Sequence, residues 1–172
     1  AITPSTRAIL CVHQIGMPCD LAEITTIARR HGLGVVEDCA CAVGSEILWS
    51  GEWQKIGKPQ GDVACFSFHP RKVITTGDGG MVTTNDDYLA ERLRRFRTHG
   101  IVHLPEYGGW YYEVRELGYN YRITDVQAAL GVSQMAKLDQ FIERRGQIAD
   151  SYRRRLTDMP IGLPPAAPTG FR

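Results

Sequence analysis

A lysine, an aspartate and a serine stand where this chain could do chemistry. Lys72 lies in "FSFHPRKVITTGDGG", where an apolar run gives way to a loop rich in threonine and glycine. Ser67 precedes it by five residues, and Asp38 ends a separate apolar stretch, "LGVVED". A lysine amine can condense with an aldehyde cofactor. A carboxylate can keep a pyridine nitrogen protonated, so that the ring draws electrons from a reacting carbon. A serine hydroxyl close by can bind the phosphate of such a cofactor. The same residue types also make a plain solvated ion pair, and the residues alone leave both readings open.

The elements that must position these groups are legible from periodicity. Arg7 to Val12 reads as a short buried strand, and "DLAEITTIARRH" as a helix. Asp20 with Glu23 has the spacing of a capping box, Leu21, Ile24, Ile27 and Ala28 share one face, and Gly32 and Gly34 stop the helix. "LGVVE" is then a continuously apolar strand, so the unit is βαβ and the sheet α/β. The polar, tryptophan-bearing stretch Ser45 to Gly61 reads as a surface loop or hairpin. "DVACFSF" and "GMVTT" are strands on either side of the lysine loop, which puts Asp38, Ser67, His69 and Lys72 at or beyond strand ends, where open α/β sheets bind ligands. Further on, "DDYLAERLRRFRTHG" is a helix with Leu89, Leu93 and Phe96 inward, and Ile101 to Gly118 is irregular and aromatic. Thr124 and Gln127 cap the next helix. A last helix spans about Met135 to Leu156, with Arg144, Arg145 and Arg153 to Arg155 on a solvated face.

Other functions find little support. The 172 residues carry a net charge of +1, which gives no electrostatic reason to expect nucleic acid or a membrane surface. No apolar run is long enough to span a bilayer, and no signal peptide is evident. The cysteines number five, an odd count, and Cys11 and Cys65 fall inside strands, which points to reduced thiols in the cytoplasm. Cys39 and Cys41 with His31 and His69 lack the paired spacing of a metal site.

Three ordered stretches carry a family resemblance: "VVEDCACAVGSE", "GDVACFSFHPRKVITTGDGGMVTT" and "GYNYRITDVQAALG". Together they resemble the DegT/DnrJ/EryC1/StrS family, pyridoxal-phosphate-dependent sugar aminotransferases of the aspartate-aminotransferase fold (fold type I). The likeness extends over nearly the whole chain, from "GMPCDLAEITTIARRHGL" to "RRGQIADSYRRRL". It implies an incomplete three-layer α/β/α large domain. It implies that Lys72 is the Schiff-base lysine, that Asp38 pairs with the pyridine nitrogen, and that Ser67 binds the phosphate. Asn120 would reach the phosphate of a neighbouring subunit's cofactor in a homodimer. The glycines from Gly77 to Gly80 would admit cofactor and substrate. Cys41 stands where the family commonly has His or Gln against the cofactor's phenolic oxygen; a buried, packing thiol is the competing reading. Relatives that dehydrate sugars carry histidine at the lysine position, so Lys72 favours transamination, from an amino acid such as glutamate to a keto-sugar, nucleotide-linked.

The sequence opens on alanine and closes in "MPIGLPPAAPTGFR". Its expected organisation is residues 1–159 as part of the cofactor-binding large domain and 160–172 as the start of a small C-terminal domain. A fragment of that kind is expected to be inactive by itself. A regulatory relative that keeps the fold without turnover is the alternative.

Overall fold

The computed structural model describes residues 1–172. From the N-terminus, β1 (Ala8–Val12) leads to α1 (Leu21–His31), β2 (Gly34–Asp38), a hairpin of β3 (Glu46–Trp49) and β4 (Glu52–Lys55), β5 (Val63–Ser67) and β6 (Gly80–Thr83). Then come α2 (Asp87–Phe96), a second hairpin of β7 (Ile101–His103) and β8 (Tyr112–Val114), α3 (Asp125–Met135) and α4 (Leu138–Leu156).

One sheet organises the chain, with strand order β1-β2-β5-β6. The first three strands are parallel and β6 runs antiparallel to β5. Alternate residues share a face, so Cys11, Glu37 and Ala64, which pair in register, point the same way. On that face α1 lays down Leu21 and Ala28, and the core forms from Cys11, Leu21, Val35, Cys39, Ile47, Ala64 and their neighbours. Burying Leu21 fully contributes about 1.5–3 kcal/mol. The opposite face is open at its edge: Leu10 is 65% exposed.

α1 starts because the Asp20 carboxylate accepts the Glu23 N–H, and it stops at Gly32, whose φ of 61° is left-handed. α3 has the full capping box, Thr124 with Gln127. Two expectations need correcting. The aromatic stretch after Gly100 is not irregular: β7 and β8 pair, and Arg115 N–H closes onto Gly100. The last helix does not begin at Met135, which ends α3; Ala136 and Lys137 separate the two helices.

Residues 170–172 return to the first hairpin, where Glu46 and Arg172 exchange backbone hydrogen bonds and the Arg172 guanidinium sits 4.2 Å from the Trp53 ring centre. No helix is long and apolar enough to cross a membrane.

Candidate active site

The carboxyl ends of β2 and β5 lie side by side, with Asp38 in register with Cys65. β2 ends in a turn because the Asp38 Oδ1 accepts the Ala40 N–H at 2.9 Å. Its other oxygen takes no hydrogen bond within the chain. β5 ends at Ser67, whose Oγ accepts the His69 N–H at 3.3 Å and so keeps its own proton to give. His69 Nδ1 in turn accepts the Arg71 N–H.

Lys72 sits in the loop from β5 to β6, and that loop is tied down. Ile74 and Thr76 are buried, Thr76 N–H donates to the Phe68 carbonyl, and Phe68 N–H donates to Gly79. The Asp78 carbonyl accepts from both Thr76 Oγ1 and Gln127 Nε2, so the start of α3 holds the glycine segment. A Cβ on Gly80 would come within 2.6 Å of the Phe66 carbonyl, and Gly77 turns at a φ of 82°. The close approach at Gly80 and the left-handed backbone at Gly77 therefore already favour glycine there. From this anchored loop Lys72 reaches back toward β2: its Nζ donates to Cys41 Sγ at 3.2 Å. Cys41 is exposed, not packed in the core. An open cleft of about 700 Å³ runs from Lys72 and Thr75 to Phe141, Arg145 and Tyr152 on α4.

Neither Asp38 nor Lys72 belongs to an ion pair. The plain ion-pair alternative thus has no support in the geometry. Asp38 and Ser67 end neighbouring strands, and Lys72 touches Cys41 in the turn that follows Asp38. Asn120 does not join them: it pairs with Thr98, is exposed, and follows Tyr119, which stacks on Tyr121 at 4.8 Å.

A second cluster lies beneath, and sequence reasoning missed it. His13 and Glu37 are both buried, with Nε2 and Oε2 3.2 Å apart. The other Glu37 oxygen accepts the N–H groups of Gln60 and Gly61. The Cys19 N–H donates to His13 Nδ1, which places the ring proton on Nε2, facing the carboxylate. Cys39 completes a trio with metal-ligand atoms. Both ring nitrogens are already engaged, however, and a metal at Nε2 would require a proton on Nδ1 that the Cys19 amide opposes. Burial pushes the Cys39 and Cys65 thiols up, away from the reactive thiolate. The available signal was Glu37 itself, a charged residue ending an apolar strand.

Comparison with known proteins extends these features. GDP-perosamine synthase of Escherichia coli O157:H7 is 42% identical over 158 residues, covering 92% of this chain and 41% of that protein. The aminotransferase TlmJ from Streptoalloteichus hindustanus superposes with a TM-score of 0.89 at 35% identity, over 99% of this chain and 44% of that one. DesI, solved in the presence of its TDP-sugar product, gives 0.82 at 32% identity, over 97% and 40%. The chain spans about two-fifths of the length of the curated relatives it matches. A family model matches residues 1–170, and the chain belongs to the DegT/DnrJ/EryC1/StrS aminotransferase family.

Proposed function

We propose that the whole protein is a pyridoxal-phosphate-dependent aminotransferase that moves an amino group from an amino acid, glutamate, to a nucleotide-linked keto-sugar in amino-sugar biosynthesis. The observation that carries this reading is the Lys72 amine, aimed from an anchored loop at the turn that follows Asp38. The nucleotide link is supported by two relatives whose names include GDP and a TDP-sugar.

The residues present fit the cofactor. When bound, it supplies an aldehyde carbon for Lys72 and an electron-withdrawing ring. The free Asp38 oxygen would accept the pyridine N–H. Ser67 donates its own proton to the phosphate while accepting the His69 N–H. Cys41 would face the phenolic oxygen, where its thiol would donate weakly. The Lys72 amine, once released, takes the proton from the donor's α-carbon and later delivers one to the sugar carbon that gains nitrogen. Asn120, outside its own site, serves the neighbouring subunit of a homodimer. Residues 1–159 belong to the large domain, whose α4 ends at Leu156, and 160–172 lead toward a small one, with Phe171 bridging back to Ile47 on the way. Residues 1–172 alone do not turn over.

The test is chemical. Borohydride reduction of the cofactor-loaded whole protein, followed by digestion, places the pyridoxyl group on Lys72. Finding it on Lys55, Lys58 or Lys137 overturns the assignment. In a separate, unreduced sample, glutamate must bleach the loaded protein in a single half-reaction, and residues 1–172 alone must fail to do so.

A further inference from the structure

Cys41 is the only exposed cysteine of the five, and its sulfur lies 3.2 Å from a primary amine. A thiol oxidised to a sulfenic acid is captured by a thiol or a nitrogen held against it. The thiol two residues away is not available: Cys39 is 1% exposed and faces the buried His13 cluster. The amine of Lys72 is in contact, on a loop fixed by Ile74 and Thr76.

We propose that Cys41 and Lys72 form an oxidation-sensitive pair, in which hydrogen peroxide joins them through a sulfur–nitrogen bond. The Cys41 sulfur attacks one peroxide oxygen, the O–O bond breaks, and a sulfenic acid and one water result. The Lys72 nitrogen lone pair then attacks that sulfur. The S–O bond breaks, a second water leaves with the amine's proton, and the S–N bond forms. Sulfur is oxidised by two electrons and peroxide is reduced to two waters. A thiol such as dithiothreitol reverses the link by attacking sulfur and releasing the amine. The modification removes the amine on which the proposed function depends, yet the pair itself stands on geometry alone and does not require that function.

The experiment treats the whole protein, its cofactor removed, with hydrogen peroxide and maps the digest by mass. The expected product is one cross-linked peptide joining Cys41 to Lys72, two hydrogens lighter than its parts and cleaved by dithiothreitol. It disappears in Cys41→Ser and in Lys72→Arg, whose guanidinium is a poor nucleophile. In Lys72→Arg the sulfenic acid survives, so dimedone labelling of Cys41 rises on the order of tenfold or more, the neighbouring amine no longer competing. Circular dichroism confirms that both variants are folded. The proposal is overturned if Cys41 proceeds to sulfinic acid or to a disulfide with no S–N link. It is overturned equally if dimedone labels Cys41 to the same extent with and without Lys72. Preloading with pyridoxal phosphate separates the two readings: if the link still forms at full yield, Lys72 is not the cofactor lysine, and the oxidation-sensitive pair stands.

Discussion

Glu37 and Asp38 are consecutive carboxylates with opposite fates. Glu37 points into the core and is saturated: one oxygen faces the His13 ring and the other takes two backbone N–H groups. Asp38 points to the other face, where one oxygen caps a turn and the other takes nothing. The same split repeats at Cys39, buried against the histidine, and Cys41, exposed against Lys72. The strand's two-residue alternation produces the split at Glu37 and Asp38, and the turn after Asp38 carries it on to the two thiols. A buried polar group must find all its partners inside the chain. A group left unpartnered at a strand end is available to a ligand. The closed cluster holds the strand ends in place, and the open one is free to react.

The largest effect is expected from breaking the closed cluster. Glu37→Ala strands the buried His13 Nε2 proton and takes the acceptor from the half-buried N–H groups of Gln60 and Gly61. Removing one partner of such a buried pair costs roughly 3–5 kcal/mol, read by urea or thermal unfolding. Glu37→Gln keeps a carbonyl acceptor and loses less. If Glu37→Ala unfolds at the same midpoint as the parent, the cluster is not a structural pin. The open cluster should behave in the reverse way. Asp38→Asn in the whole protein leaves the unfolding midpoint nearly unchanged and still retains cofactor. Its rate falls on the order of 10²-fold, the usual loss when a charge-stabilising group at a reacting centre is removed. Near-normal turnover in that variant would make Asp38 a turn-former only, and the contrast with Glu37 would lose its functional half.

Much of this was readable before the structure, and the reasons are local. The strand and helix around Asp20 and Gly32 announce themselves through capping and termination chemistry, which depends on neighbours in sequence. Thr124 and Gln127 do the same for α3. The positions of Asp38, Ser67 and Lys72 at strand ends follow from strand periods and one topological rule. Their proximity does not: the contact between Lys72 and Cys41 spans 31 residues and depends on how Ile74 and Thr76 fold the intervening loop down. Glu37 alone gave a signal, but its pairing with His13 did not, since Glu37 lies on β2, His13 just beyond β1 and the other donors on the Gln60 turn. The β7–β8 hairpin escaped because its strands are three residues each, too short for a period to register. The break at Ala136 and Lys137 was masked by an apolar stripe that continues across it.

The smallest effects test the comparison most finely, because one substitution can be made on both sides of it. Cys39→Ala removes a sulfur that is 1% exposed and packed among Leu21, Ala42 and the histidine. The void it leaves should cost on the order of 1 kcal/mol, in the range of deleting one buried methylene-sized group. Cys41→Ala removes an exposed sulfur and should shift stability by no more than about 0.5 kcal/mol. The chemical consequences should be inverted. Cys39→Ala leaves the cofactor's visible absorption as it was, since that thiol faces the closed cluster. Cys41→Gln, which puts a stronger hydrogen-bond donor against the phenolic oxygen, shifts that absorption or its pH dependence. Absorption and unfolding curves on the two variants of the loaded protein give both halves of the answer. If Cys41→Gln leaves spectrum, pH profile and rate untouched, Cys41 is not a cofactor contact. If Cys39→Ala moves the spectrum as strongly as Cys41→Gln, the two clusters are one coupled site, and the division between holding and reacting is drawn in the wrong place.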